Sequence, residues 1–434
     1  MNGNHRVPPT PNEAPQGEVL SRSNVFIKAG IMTSNKAYKL RIYPTKQQAE
    51  LLKQIGGNCR WLWNKLLADN QSHYTKTKKF FFYKDMSASL PRMKQETEWL
   101  GEAPAVSLQR VAKNLDTALK QCFKAGKGFP RFKKKSTNKD SFYITNQQFG
   151  IKDNKVKIPK VGWVKFRAGC VPVERILSAT VSQDGDHWYC SVMCEYETSD
   201  LVEPTNAIGI DLGLNYLITT SDGEVVDNPR HLRKAEKKLT RRQRQLSRAE
   251  NKRKKNEGRK RTSNNYRKKQ LKLYRLHRKV RNQRNDFLHK LTTELIANNS
   301  VICLEDLNIK GLHRTQLAKS ISDVAWGELV RQLTYKAHWY GKHIVKIGRF
   351  DPSSQICSCC GHRQKMSLDK RTYECPSCGM SMDRDLNAAI NIKNWGINKL
   401  VGRGTPEPYQ DALRPDNTPV DDTSDGVYSA LAAE

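Results

Sequence analysis

Two cysteine pairs constrain this chain more than any other feature. Cys357-x-x-Cys360 and Cys375-x-x-Cys378 are separated by 14 residues, and Gly361 and Gly379 follow directly after the second cysteine of each pair. A glycine there lets the backbone curl so that amides point at the thiolate sulfurs. Four thiolates so spaced form a closed tetrahedral shell for one Zn2+, a structural site with no position open for water. Such a site can contribute on the order of 10 kcal/mol to folding. Cys359 reads as a bystander and His362 as a weaker alternative ligand. Cys59, Cys122, Cys170, Cys190, Cys194 and Cys303 are scattered. An odd total of 11 cysteines, with no secretory signal, predicts a reducing compartment and a metal in place of a disulfide framework.

The rest of the chain is long and strongly basic. Its 434 residues predict about two to four compact units, and 37% hydrophobic residues suffice for several cores. No apolar run approaches the roughly 18 residues of a membrane span. A formal net charge of +33 attracts polyanions, of which nucleic acid is the commonest. Anionic membrane is the rival partner, but it needs a basic amphipathic helix with a spare apolar face, and none stands out. Residues 230–290 hold 26 Lys and Arg against 4 acids, two-thirds of the net charge. That density favours phosphate binding over a merely solvated face.

Periodicity supplies the organisation. Residues 1–31 lack any period and read as disordered, and Met32 is an alternative start. Tyr38, Leu40 and Ile42 alternate with charged residues as in a strand, which Pro44 ends. Thr45 then caps a helix with Ala49, Leu52 and Ile55; a second carries Trp61, Leu62 and Leu66, and a third spans about Ser107–Lys124. Pro130 is the breaker after that third helix, within the basic-aromatic run 126–135. Alternation over 140–200 predicts a β-rich block that joins the opening strand in one small barrel or sheet, with the helices inserted. A new unit begins near Asn206 with three strands and an Asp222-Gly223 turn. Leu232, Leu239, Leu246 and Leu273, Val280, Phe287 sit at heptad spacing, with Leu276 between, predicting an antiparallel hairpin of two long helices turning near Asn256–Asn265. Residues 300–307 and 343–347 read as strands. Between them an amphipathic helix is expected, capped by Ser322 or Asp323 and stopped by Gly341. A last helix begins near Asp385, and the acidic, Pro-rich residues 400–434 read as a disordered tail.

Three carboxylates stand out. Asp211 ends an apolar strand in "GIDLG" and Glu305 ends another in "VICLEDL", where a bare charge is costly without a partner. Glycines at 209 and 213 would admit another backbone or a nucleic-acid strand. Asp385 opens a helix, where its charge suits the dipole. Three acids on two strand ends and one helix start are what a site for two hard cations, Mg2+ or Mn2+, needs for phosphodiester hydrolysis. Each has a structural alternative: Asp211 a turn cap, Glu305 a solvent-facing end with Asp306 as the ligand instead, Asp385 a plain N-cap with Asp383 as its competitor.

In order along residues 36–396, the motifs "LRIYPT", "GFPRFKKK", "GIDLG", "DFLHKLTT", "LEDL", "SISDVAWGELVRQLTYKAHWYG", "SSQICSCCG", "CPSCG" and "DRDLNAAINI" resemble the TnpB/OrfB proteins of bacterial insertion sequences, relatives of type V CRISPR effector nucleases. The resemblance implies an α+β multidomain chain. Its parts would be a disordered extension 1–35, a β-barrel wedge domain 36–200 with an inserted helical recognition module at about 45–125, and an RNase H-like (RuvC) αβ domain 206–396. The last would carry a helical hairpin 230–297 and a zinc ribbon 353–382. It further implies an RNA-guided DNA endonuclease: a guide RNA from the transposon end, a double-stranded DNA target cut beside a short adjacent motif, Asp211, Glu305 and Asp385 as the RuvC acids, and Cys357, Cys360, Cys375 and Cys378 on zinc. Asp385 is thereby preferred to Asp383, and Tyr83 falls near where relatives contact the adjacent motif. A single protein copy in a ribonucleoprotein at the bacterial nucleoid, with no membrane partner, is the corresponding expectation. The alternatives are a nuclease-inactive guided regulator and an accessory transposase; no tyrosine-nucleophile and paired-histidine motif of a tyrosine recombinase is present.

Overall fold

A computed structural model of the protein describes residues 33–135, 140–167, 171–255, 263–349, 351–367 and 369–402. The segments 1–31 and 403–434, Cys170 and most of the predicted hairpin turn lie outside the described residues.

Strand β1 (Thr33–Tyr43) begins the first unit. Pro44 closes it, and Thr45 caps helix α1 (Lys46–Thr77) in a reciprocal box: Gln48 N–H donates to Thr45 Oγ1 and Thr45 N–H to Gln48 Oε1. The two helices expected here are one 32-residue helix, because Gly56-Gly57 does not break it. Gly56 instead admits Asp140, whose Cβ would lie 2.8 Å from a β-carbon at 56, and Arg60 pairs with the same aspartate. Helix α2 (Tyr83–Glu96) escaped the periodicity, since Pro91 sits inside it and Met86 and Leu90 are its only buried residues. Helix α3 (Ala105–Ala125) stops at Gly126, in the left-handed region at φ 61°, ahead of Pro130.

The chain then returns to the sheet through β2 (Ser141–Thr145), β3 (Gly150–Lys152), β4 (Lys155–Ile158), β5 (Gly162–Arg167), β6 (Ile176–Asp184) and β7 (His187–Glu197). The strand order is β2-β6-β7-β1-β5-β4-β3, so the sheet is a curled half-barrel and no β2–β3 pairing closes it among the described residues. β1 is its spine, paired with β7 from Thr33 to Ile42 and with β5 from Arg41 to Tyr43. One core joins helices and sheet: Leu52, Leu62, Leu108 and Leu115 pack with Leu40, Ile144 and Val192.

The second unit starts with β8 (Ala207–Leu212), β9 (Tyr216–Thr220) and β10 (Val225–Asp227). Helices α4 (His231–Lys255) and α5 (Asn264–Asn298) follow, packed through Leu239, Leu246 and Leu273, with His231 against Phe287 at the far end, which makes the pair antiparallel. Then come β11 (Val301–Leu304), the short helix α6 (Ile309–Leu312), α7 (Ala318–Val324), α8 (Trp326–Trp339) and β12 (His343–Lys346). The single helix expected before β12 is two, because Ala325 adopts the left-handed conformation (φ 57°) between them. Asp323 does not cap α8; its carboxylate accepts from Leu232 N–H (2.8 Å) and Arg233 N–H (3.1 Å) and so caps α4. The cysteine segment carries the hairpin β13 (Thr372–Glu374) and β14 (Ser381–Asp383), and α9 (Arg384–Val401) ends the described chain.

The central sheet runs β10-β9-β8-β11-β12, with β8, β11 and β12 parallel. All four residues of β11 are buried, as a strand covered on both faces must be. Ile302 and Leu304 meet Leu288 and Leu295 of α5 and Leu329 and Leu333 of α8. Val301 and Cys303 face Ile392 of α9. Helix α9 lies very close. A β-carbon at Gly209 would run into the Ala389 carbonyl oxygen and sit 2.6 Å from Lys393 N; one at Gly396 would strike the Cys303 sulfur. No helix among the described residues is long and apolar enough to cross a membrane.

Gly209→Ala is therefore expected to cost about 1–3 kcal/mol by overpacking backbone against backbone. Gly101→Ala, with nothing within 4 Å of the added carbon, is the matched control. Thermal unfolding of both checks this: a lower midpoint for Gly209→Ala alone is expected, and equal midpoints contradict the packing account.

Candidate active site and metal centre

Sheet register brings the first two acids side by side. Ile210 of β8 lies opposite Leu304 of β11, so Asp211 and Glu305, the next residues, leave neighbouring parallel strands at the same edge. Alternation sends Gly209 and Asp211 to the α9 face, and likewise Cys303 and Glu305. Ala389 rests on Gly209, and Asp385 precedes it by four residues, about one helical turn. The crossing helix therefore carries Asp385 toward Asp211. Asp383 caps α9, accepting from Asp385 N–H (2.9 Å) and Leu386 N–H (3.0 Å), which leaves Asp385 as the acid of the first turn.

Electrostatics reflect the convergence. Burial, then the carboxylates of Glu305 and Asp385, push Asp211 up to about 8 against the opposing pull of Arg384. Glu305 is also raised, by burial first, with the Ser353 hydroxyl donating to it at 2.6 Å in opposition and Asp351 adding repulsion. Asp385 lies 3.3 Å from Arg384 and 3.6 Å from Arg371. Asp306 turns away to Arg349 at 2.7 Å. All ligating atoms of the three acids are hard oxygens, a set that fits Mg2+ or Mn2+. They stand further apart than the thiols do: among the described residues, the four cysteines are the one group of three or more potential ligands whose atoms all lie within 4.8 Å of one another.

Those cysteines form a group able to hold a metal ion. Cys357 and Cys378 sulfurs are 3.7 Å apart, and Cys360 and Cys375 sulfurs 3.5 Å. Gly361 (φ 77°) and Gly379 (φ 73°) supply the left-handed turns, donating N–H to the Cys357 and Cys375 carbonyls at 2.9 Å. Tyr373, wholly buried, braces the knuckle by donating to the His362 carbonyl at 3.1 Å. Cys359 is exposed, and neither it nor the His362 side chain belongs to the group.

Two asparagines tie this group to the acids. Asn387 and Asn391 of α9 are buried, and both amides donate to the Ile356 carbonyl, at 2.7 and 2.6 Å. Asn391 also donates to the Ser353 carbonyl at 2.8 Å, and Ser358 N–H donates to Asn387 Oδ1 at 2.9 Å. The knuckle before Cys357 is thus latched to the helix that bears Asp385, and Ser353 is held against Glu305. Sequence reasoning passed over Ser353, Asn387 and Asn391. The signal was two amides four residues apart on the apolar face of "DLNAAINI".

Glycines 209 and 213, expected to admit a backbone or nucleic acid, are both filled from within: Gly209 by α9 and Gly213 by the Tyr216 carbonyl. The basic hairpin is also partly engaged internally. Arg275 (2.9 Å) and Arg278 (2.8 Å) pair with Asp186 of the β6–β7 turn, Arg281 pairs with Asp184, and Arg284 lies 3.5 Å from Asp323. Tyr83 is exposed at the start of α2, its N–H donating to Asp116.

Comparison with known proteins follows the same lines. A family described as "Probable transposase" matches residues 191–316, "Cas12f1-like, TNB domain" matches 326–392, and "Helix-turn-helix domain" matches 32–79, a stretch folded here as β1 and the single helix α1. The chain is 34% identical over 83% of its length to "Putative RNA-guided DNA endonuclease" of Streptomyces pristinaespiralis, of which it covers 89%. It is 33% identical over 86% of its length to "Putative RNA-guided DNA endonuclease InsQ" of Escherichia coli (strain K12), of which it covers 96%. Its fold is similar to the protein in "Cryo-EM structure of the Cas12f1-sgRNA-target DNA complex", with a TM-score of 0.51 and 14% identity over 83% of this chain and 99% of that one. Near-complete coverage of two relatives at this identity, with the motifs in order, establishes that the chain belongs to the TnpB/OrfB family.

Proposed function

We propose that the protein is an RNA-guided DNA endonuclease that hydrolyses target phosphodiesters beside a short adjacent motif, in the service of transposon maintenance. The observation that carries this is the convergence of Asp211, Glu305 and Asp385 where α9 crosses the ends of β8 and β11. Two divalent cations of the Mg2+ or Mn2+ type, bound there, would activate a water and neutralise charge on the leaving oxygen. The chain's own part is to hold three carboxylates at one strand edge, with Ser353 orienting Glu305 and Arg384 beside Asp385. In this reading residues 36–200 are the wedge with its helical recognition insert, and residues 206–396 the RuvC domain with hairpin 230–297 and ribbon 353–382. Cys357, Cys360, Cys375 and Cys378 hold structural Zn2+, and the ribbon keeps Ser353 in place. The names of the relatives support guidance by RNA. A net charge of +33 supports backbone grip on a heteroduplex whose sequence is read by pairing.

The test is a plasmid library with a guide match beside randomised bases, incubated with Mg2+ and the protein purified with its RNA. Linear product from a subset of adjacent motifs is expected. RNA bound without cutting would favour a nuclease-inactive regulator, and absence of bound RNA would contradict guidance.

Asp211→Asn is expected to retain RNA and DNA binding and to abolish cutting; wild-type cleavage would contradict the site. The same substitution has a stability signature. Because Asp211 is raised to about 8 in the fold, the folded, cation-free protein binds a proton there that the unfolded chain releases above its ordinary value near 4. Stability is therefore lost as pH rises from about 4 to 8. Asp211→Asn should raise stability at pH 8 in chelator by up to about a few kcal/mol, seen as a higher melting midpoint, and leave the midpoint unchanged near pH 4. A midpoint that falls at pH 8 contradicts the electrostatic account. Cys375→Ser should release the ribbon metal and lower the midpoint; full zinc content with unaltered melting would exclude the four-cysteine site.

A further inference from the structure

One surface of the first unit gathers exposed aromatic rings. Where α1 and α3 end, three rings gather around Phe80. Tyr74 stacks on it at 4.4 Å and 17°, Phe123 lies 5.1 Å away and Phe129 6.1 Å. Tyr74, Phe123 and Phe129 are 41%, 53% and 38% exposed. Exposed rings in a contiguous group, unlike rings scattered singly, mark an interaction surface.

Charge selects the partner. Residues 71–84 and 117–135, which carry these rings, contain ten lysines, one arginine and no acid. The bounding acids are engaged locally: Asp116 is buried and accepts from Tyr83 N–H and Lys120, and Asp85 accepts from Phe82 N–H. Lys78 lies 5.6 Å over the Tyr74 ring and Lys120 5.7 Å over Phe82. Partly exposed rings set among ammonium groups suit a polyanion that carries flat, unstacked rings, which is a nucleic-acid segment with unpaired bases. A paired duplex keeps its base faces stacked on each other and offers these rings nothing.

We propose that this face is a stacking platform for unpaired nucleotides of the RNA that the protein carries. The inference rests on the guided reading above. RNA is favoured over DNA because target DNA is a transient partner, and exposed rings of this extent would invite aggregation if bare between encounters. A resident RNA covers them throughout.

The test uses the full chain purified with its RNA, irradiated with ultraviolet light, digested and analysed for RNA-linked peptides. Adducts are expected within 71–84 and 117–135, at Tyr74, Phe80, Phe123 or Phe129. Tyr74→Ala combined with Phe123→Ala removes exposed rings, and its melting midpoint verifies that the fold is kept. It should weaken binding of a short oligouridine by at least about tenfold, whereas Phe123→Trp should retain affinity. Adducts elsewhere but in neither segment, unchanged affinity of the double variant, or tighter binding of oligothymidine than of oligouridine would each overturn the proposal. Wild-type protein that cuts its guided target while these segments stay free of RNA overturns this inference alone; wild-type protein that carries no RNA overturns the guided reading beneath it.

Discussion

Helix α9 reaches the ends of β8 and β11 only because Gly209 and Gly396 put no β-carbon between helix and sheet. Much follows from that contact. It fixes Ala389 over Gly209 and so sends Asp385, one turn back, toward Asp211. The buried asparagines on the same helix latch the cysteine knuckle through the Ile356 carbonyl and hold Ser353 where its hydroxyl meets Glu305. One helix thus supplies an acid, positions a second and anchors the cysteine segment. The opposite face of the sheet, covered by α5 and α8, supplies the hydrophobic packing that keeps β8 and β11 in register.

The basic side chains of α5 and α4 are differently engaged. On α5, Arg275, Arg278 and Arg281 bind Asp184 and Asp186, so the helix that packs on the five-stranded sheet also docks on the β6–β7 turn of the first unit. Arg278 is nearly buried, where an unpaired guanidinium would be costly. On α4, by contrast, Arg233, Lys237, Arg241, Arg244 and Arg248 line an open groove of about 840 Å3. The N-terminal end of α4 is held by Asp323, an acid near the end of α7. Long helices whose partners lie 90 residues away in sequence set the relation between the two units.

Much of this was legible in the sequence, and the misses have physical causes. Strand periodicity located β1, β8 and β11, and the Thr45–Gln48 box marked the start of α1. The cysteine spacing gave a four-sulfur group directly, since ligands three positions apart on a knuckle are set by local geometry. The meeting of the three acids was not local: it depends on strand pairing and on glycines whose use is visible only against the helix they admit. The two helices expected after Thr45 are one, and Gly56 within it is a seat for Asp140. Asp323 looked like the cap of the helix that follows it, but a left-handed Ala325 ends that turn and frees its carboxylate for α4. Side chains that act across the fold leave only a weak trace in sequence, as with Asn387 and Asn391.

The most direct measurement is anomalous diffraction from crystals of the protein soaked in Mn2+, with data collected on either side of the manganese and zinc absorption edges. The account predicts manganese between Asp211, Glu305 and Asp385, and zinc among Cys357, Cys360, Cys375 and Cys378. Manganese held by Asp306 or Asp383 instead, or none beside Asp211 at saturating concentration, would contradict the claim that these three acids form the catalytic cation site.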